Sequence, residues 1–153
     1  MKDKIVLIDG CRTPFLKSET DYLNTMTYEL AQLAIKGLLS KTGMDPNLVD
    51  SVVMGCVIST LKTSNLAREA ALGAGIPYST PCHTVSQACI SANRAIATAI
   101  SEIATGQSNI VIAGGADSAS ETPIGYKKHM RTKLMKGKKL KSTSEMIKFV
   151  LGF

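Results

Sequence analysis

The most constraining feature of this 153-residue chain is a strand–helix–strand passage between Cys82 and Ala113. A short extended run, Cys82 to Val85, gives way to small and apolar residues reaching about Thr105. Gly106 closes that stretch, and Asn109 to Ala113 reads as the next strand. The spacing predicts a helix with Cys89, Ala92, Ile96, Ala99, Ile100 and Ile103 on one face. Ala88, Ala95 and Ala97 cover much of the remainder. A helix so small-sided and nearly apolar all round is expected to lie buried between layers. A helical crossover of this kind joins parallel strands, so the passage already commits the chain to a layered α/β fold.

The preceding residues repeat the pattern. Lys4 to Asp9, continuously apolar through Ile5-Val6-Leu7-Ile8, reads as a buried central strand ended by Gly10. Pro14 holds Thr13 out of helical geometry, so Cys11-Arg12-Thr13-Pro14-Phe15 is a fixed loop, with Arg12 expected to be salt-bridged. Lys17 to Asn24 is polar loop. Apolar residues at Met26, Leu30, Leu33, Ala34, Gly37 and Leu38 predict a helix over 25–41, capped by Thr25 and stopped by Gly43. Asp45-Pro46 opens a short turn. Ser51 to Ile58 reads as a strand around Gly55-Cys56, and Ser64 to Ala74 as a helix ended by Gly75 and Pro77. Four strands thus alternate with helices, which indicates mostly parallel pairing. Ala113-Gly114-Gly115 is expected to be a backbone-only turn where another segment approaches closely.

Charge divides the chain. From Tyr126 onward nine Lys and Arg stand against Glu145 alone, a net +8, whereas the first 125 residues carry −2. Past Ser120 the periodic pattern dissolves into this Lys-rich stretch, and Met146 to Phe153 is a short apolar ending. A basic end of this kind is a solvated tail or an anion-binding surface. Met1 to Ile8 is too short and too interrupted by acid for a signal peptide, and no apolar run approaches a membrane span of ~20 residues. Cys11, Cys56, Cys82 and Cys89 lack CxxC spacing and nearby paired histidines, so no metal site is indicated; reduced thiols in a cytoplasmic or matrix-like compartment are expected.

The candidate functional residue is Cys89. Ser86 stands where a helix N-cap belongs, which would put Cys89 in the first turn and at the positive end of the helix field. A free thiol of pKa ~8.5 is only a few per cent ionised at neutral pH. A helix N-terminus can contribute up to ~2 kcal/mol, enough at ~1.4 kcal/mol per unit to make a large fraction of the sulfur reactive. Position alone leaves a second reading open, because a Cys between Ala and Ile is often a small inert hydrophobe.

Thr84-Val85-Ser86-Gln87-Ala88-Cys89-Ile90-Ser91-Ala92-Asn93-Arg94-Ala95 resembles the nucleophilic-cysteine motif of thiolases. Its Ile90-Ser91-Ala92 resembles the fatty-acid-oxidation branch, where the wider family more often has Gly-Ser-Gly. Arg12-Thr13-Pro14-Phe15 resembles the N-terminal signature, and the stretch from Lys62 to Gly75 resembles the segment before the nucleophile strand. Ala113-Gly114-Gly115-Ala116-Asp117-Ser118-Ala119-Ser120 resembles the Gly-Gly-x-Glu-x-Met-Ser segment, with Asp117 and Ala119 in place of the commoner Glu and Met. The likeness runs from about Ile5 to about Met130 and is nearest to the 3-ketoacyl-CoA thiolases of fatty-acid β-oxidation, of the trifunctional-enzyme β-subunit type.

The resemblance implies an acyltransferase that uses CoA and acyl-CoA as substrates, binds no further cofactor or metal, and forms an acyl thioester on Cys89. It implies residues 1–121 as an incomplete N-terminal α/β domain of four strands out of five around a buried central helix, and 122–153 as the start of an inserted loop domain. The family's activating histidine and second cysteine belong to a second half that is not found in these residues; His83 is expected to be a strand residue and His129 solvated. The resemblance implies a homodimer or a complementary C-terminal half as partner, with a β-oxidation multienzyme partner and membrane-surface contact by the basic end as further expectations, and no nucleic acid. The basic end could meet CoA phosphates, acidic lipid head groups or a partner subunit. Other readings are a non-catalytic remnant or dimerisation module of the same fold, an acetoacetyl-CoA thiolase, and another Cys-dependent condensing enzyme.

Overall fold

A computed structural model describes residues 4–138 and 142–151; Lys139 and Lys141 of the basic stretch, Met1 to Asp3 and the last two residues lie outside them. The chain divides into two compact units, Met1–Pro123 and Ile124–Phe153.

In the first unit the elements follow as α1 (Thr27–Thr42), β1 (Ser51–Gly55), α2 (Leu66–Gly73), β2 (Cys82–Val85), α3 (Ser91–Ala104) and β3 (Val111–Gly115). The strands form one parallel sheet in the order β2-β1-β3, with Val53 opposite both His83 and Ala113, and Gly55 opposite both Val85 and Gly115. The α/β parallel architecture expected from the alternating pattern is therefore present. β1 is central and buried at every residue, as a parallel strand covered on both faces must be. Its side chains alternate between faces. Val52, Met54 and Cys56 join a core with Ala31, Ile35 and Leu39 of α1 and Leu66, Ala67, Ala70 and Ala71 of α2. Val53 and Gly55 point to the other face, where α3 lies along β1 and β3.

Among the described residues three strands form, not four. Lys4 to Asp9 pairs with no strand, and Val6, Leu7 and Ile8 stand 70%, 82% and 71% exposed. Four consecutive apolar residues specify burial but cannot supply the neighbouring strand that burial needs. Asp9 is tied instead to the end of α1, its carboxylate 2.7 Å from Lys41 Nζ. The expected full burial of the helix after Cys89 is corrected too. Only Ser91, Ala95 and Ala99 are buried, whereas Ile96 and Ile100 are 39% and 47% exposed. The smallest side chains take the sheet-facing side because that side must come close to the backbone beneath it. The isoleucine side stays part-exposed.

Local signals set the helix ends. Gly43 closes α1 at φ +64°, the left-handed geometry glycine adopts without cost. Asp45 accepts from Asn47 N–H to start the turn at Pro46. Thr25 does not cap α1; its start lies at Met26, whose N–H is taken by Glu29 Oε2 at 2.7 Å. A distant acid completes that end. Glu121 Oε2 accepts from Thr27 N–H at 2.6 Å and from Thr27 Oγ1 at 2.8 Å. Burial pushes the Glu121 carboxyl up, but the Thr27 hydrogen bonds outweigh it and hold it below its ordinary value of 4.5. A carboxyl depressed by folding stabilises above its unfolded pKa, and that contribution is lost as pH falls through the folded value. Glu121→Gln is thus expected to flatten the decline in urea midpoint below about pH 4.5. Glu121→Ala, which strands the buried Thr27 donors, is expected to cost about 1–3 kcal/mol at neutral pH.

The second unit is helical where the sequence pattern predicts none. α4 (Lys128–Gly137) and α5 (Thr143–Leu151) account for most of it, and a Cβ on Gly137 would lie 2.8 Å from the Phe149 ring. Lys, Leu and Met are good helix formers, so a composition read as tail is equally a helix composition. No helix among the described residues is long and apolar enough to cross a membrane.

Candidate active site

β2 ends at Val85, and the five residues Ser86 to Ile90 form a tight turn before α3 begins at Ser91. The helix starts later than the sequence suggests. Ala88 sits at φ +47°, a left-handed conformation that costs a residue with a Cβ ~1–2 kcal/mol and that no right-handed helix can include. Ser86 therefore does not cap α3, and Cys89 lies two residues before its first turn rather than within it. No side chain caps α3, and Ser91 instead braces the turn that precedes it. Its Oγ accepts from Gln87 N–H at 2.8 Å and donates to Ala88 O at 2.7 Å, closing the turn on itself.

Cys89 occupies the exposed tip of that turn, beside the N-terminus of a 14-residue helix. No described side chain bonds to its sulfur. The other thiols differ. Cys11 is exposed on the loop before Pro14, Cys82 is half-buried, and Cys56 is buried. Burial pushes the Cys56 thiol up to about 11, reinforced by the neighbouring Asp117 carboxylate. Burial also raises Cys82, with Arg68 partly opposing it.

Two glycines seat the turn on the sheet. A Cβ on Gly55 would stand 2.3 Å from Ser91 C and 2.5 Å from Ala92 N, both backbone atoms. A Cβ on Gly115 would stand 2.9 Å from Ala92 Cβ and 3.0 Å from Gly55 O. The close approach expected at Gly114-Gly115 is found at the second glycine. Both residues belong to β3, however, and form no turn. Gly55 carries the tighter contact, and its only signal in the sequence is a glycine interrupting an apolar strand.

Asp117, just past β3, ties the strand ends together. Its Oδ1 accepts from Val57 N–H at 2.9 Å and Ile58 N–H at 2.6 Å. Arg12 makes no ion pair among the described residues. Its guanidinium lies 5.0 Å above the Phe15 ring and donates to Thr13 O. The Arg12 to Phe15 loop lines a hollow of about 320 Å³ with α1 and the residues after β3. His83 lies in β2 with Nε2 3.8 Å from Glu102 Oε1 and makes no bond to Cys89, and His129 is exposed on α4 of the second unit. Among the described residues no three His, Cys, Asp or Glu converge as a metal site.

Comparison with known proteins identifies the family of the chain. Residues 5–150 match the family model for the thiolase N-terminal domain. The chain is 45% identical to the mitochondrial trifunctional enzyme subunit beta of Bos taurus over 97% of its own length, which is 31% of that protein. It is 43% identical to a probable 3-ketoacyl-CoA thiolase of Caenorhabditis elegans, over 94% of this chain and 32% of that one. The crystal structure of acetyl-CoA acetyltransferase from Bacillus anthracis superposes with a TM-score of 0.67 at 34% identity, covering 71% of this chain and 28% of that one. The chain thus spans about a third of the length of the relatives it matches. A small parallel sheet, a helix seated on two strand-end glycines and an exposed cysteine at the turn before it accompany these matches: the chain belongs to the thiolase family and carries that family's N-terminal domain.

Proposed function

We propose that this chain is the nucleophile-bearing portion of a 3-ketoacyl-CoA thiolase of fatty-acid β-oxidation, with Cys89 as the nucleophile. The observation that carries the proposal is an exposed Cys89 on a turn braced by Ser91, next to a helix start seated on Gly55 and Gly115. The Cys89 thiolate attacks the C3 carbonyl of a 3-ketoacyl-CoA, forming an S–C bond. The C2–C3 bond then breaks, its electron pair stays on C2, and protonation releases acetyl-CoA. The acyl group left on sulfur passes to the thiolate of a second CoA, which frees Cys89. The backbone N–H of Cys89, close to the helix start, helps hold the developing oxyanion. The activating histidine and the second, acid–base cysteine come from a C-terminal thiolase half, by family likeness.

Residues 122–153 are read as the beginning of the inserted loop domain, whose cations suit the phosphates of CoA or an acidic surface. The similarity to a mitochondrial trifunctional-enzyme subunit supports a β-oxidation multienzyme setting and a matrix-like compartment, cytoplasmic in a bacterium. β2 lies at the sheet edge, which favours strand pairing between two copies. The test is to incubate the chain, with and without a C-terminal thiolase half, with a 3-ketoacyl-CoA and map adducts by mass spectrometry. An acyl mass on the Cys89 peptide is expected with the partner half. Its absence there would remove the proposal.

A further inference from the structure

We propose that Asp117 is a positioning residue for Cys89, acting through the sheet beneath the turn; this rests on reading Cys89 as the nucleophile. The strand ladder runs out immediately below that turn. Its last rungs are Cys56 N–H to Val85 O and Ala116 N–H to Gly55 O, each 3.1 Å. One residue further, β1 has become the loop Cys56-Val57-Ile58 and β3 has bent away at Ala116. Nothing in the sheet can take the Val57 and Ile58 donors there. The Asp117 carboxylate takes both across some 60 residues of sequence, with Val57 N–H at 2.9 Å from Oδ1 and 3.2 Å from Oδ2, and Ile58 N–H at 2.6 Å from Oδ1. Cys56 Sγ adds a third donor at 3.5 Å.

This clamp fixes the spacing of the two strand ends that matter for the nucleophile. Gly55 and Gly115 are register partners, and Ser91 and Ala92 rest on them at distances that leave no room for a methyl group. If the ends splay, the floor under Ser91 moves. Ser91 is the residue that holds Gln87 and Ala88, and hence the sulfur between Ala88 and Ile90, in place. A carboxylate suits the task because all its positions accept. An amide would turn an NH2 donor toward one of three donors. Charge-assisted bonds to backbone N–H are also the stronger kind.

The test compares wild type, Asp117→Ala, Asp117→Asn and Asp117→Glu, each supplied with a C-terminal thiolase half. The rate of Cys89 acylation is followed across 3-ketoacyl-CoA concentration. Hydrogen–deuterium exchange of the peptide over residues 86–94 is measured on the same chains. The clamp predicts a saturating acylation rate lower by on the order of 10²-fold in Asp117→Ala, since a displacement of about 1 Å can cost that much. The half-saturating concentration should be unchanged, exchange over 86–94 faster, and the rate largely restored by Asp117→Glu. Asp117→Asn serves if the alanine variant does not fold, with a smaller loss in the same direction. Equal saturating rates would overturn the proposal, as would an effect confined to the half-saturating concentration. Should wild type form no adduct, the nucleophile reading fails. Exchange then judges the clamp alone, and unchanged exchange in Asp117→Ala overturns it.

Discussion

Gly55→Ala is expected to unseat the Cys89 turn and destabilise the first unit by about 3 kcal/mol, the upper end of what overpacking costs. The added methyl would meet Ser91 C at 2.3 Å, Ala92 N at 2.5 Å and Ser91 O at 2.5 Å. These are backbone atoms of a helix start, and no rotamer change clears them. Gly55 is also the last residue of the central strand, paired on both sides, so it cannot yield either. Relief therefore comes from lifting α3, which carries Cys89 with it. Gly115→Ala is expected to act in the same direction but less, because its nearest obstacle is the Ala92 methyl at 2.9 Å. Gly114 provides the control. A Cβ there would meet Met54 Sδ at 3.5 Å, an ordinary contact with a flexible side chain, so Gly114→Ala should leave stability within about 0.5 kcal/mol. Urea denaturation of the three variants checks the order. A Gly55→Ala chain as stable as Gly114→Ala would mean that the helix start is not held against the sheet as described.

The contrast between these neighbouring glycines shows what a sequence can and cannot convey about such a site. The Gly-Gly pair announces a close approach, but which glycine is touched depends on the pleat, and the pleat is known only once register is known. Helix ends defined by local chemistry were legible: Gly43, with its left-handed φ, and Asp45, with its Asx cap, need nothing beyond adjacent residues. The start of α3 was not. Ser86 has the right side chain for a cap, yet Ala88 holds a positive φ that only the surrounding contacts can impose. The apolar run at Ile5 to Ile8 reads as a buried strand, but a strand also requires a neighbour, and none of the described strands takes that place. Asp117 escapes composition and periodicity altogether. Its partners lie some 60 residues away and are backbone donors, which no residue type marks. Cys89 stood out through motif likeness, and its exposure is a property of the folded turn.

That exposure leads to a sharp expectation about the four thiols. Cys11 and Cys89 are open to solvent, and iodoacetamide at neutral pH is expected to modify these two readily. Cys56, at about 11, would be thiolate in only on the order of one molecule in ten thousand, and its sulfur is enclosed by Ile58 O and Asp117 besides. Cys82 is held back by burial in the same sense. Alkylation thus separates open from closed sulfurs, but an acyl-CoA should separate the two open ones. Cys11 follows an unpaired segment, whereas Cys89 lies in the turn just ahead of α3, whose N-terminal N–H groups favour developing negative charge nearby. With a C-terminal thiolase half present, Cys89→Ala is expected to abolish acyl transfer altogether, because no second thiol occupies the turn. Cys11→Ala should retain the wild-type rate within about twofold, since a surface substitution away from the turn changes energies by only ~0.5 kcal/mol. Peptide mapping after 3-ketoacyl-CoA treatment reads both variants. An acyl mass on Cys11, or one that survives in Cys89→Ala, would assign the chemistry to a different sulfur.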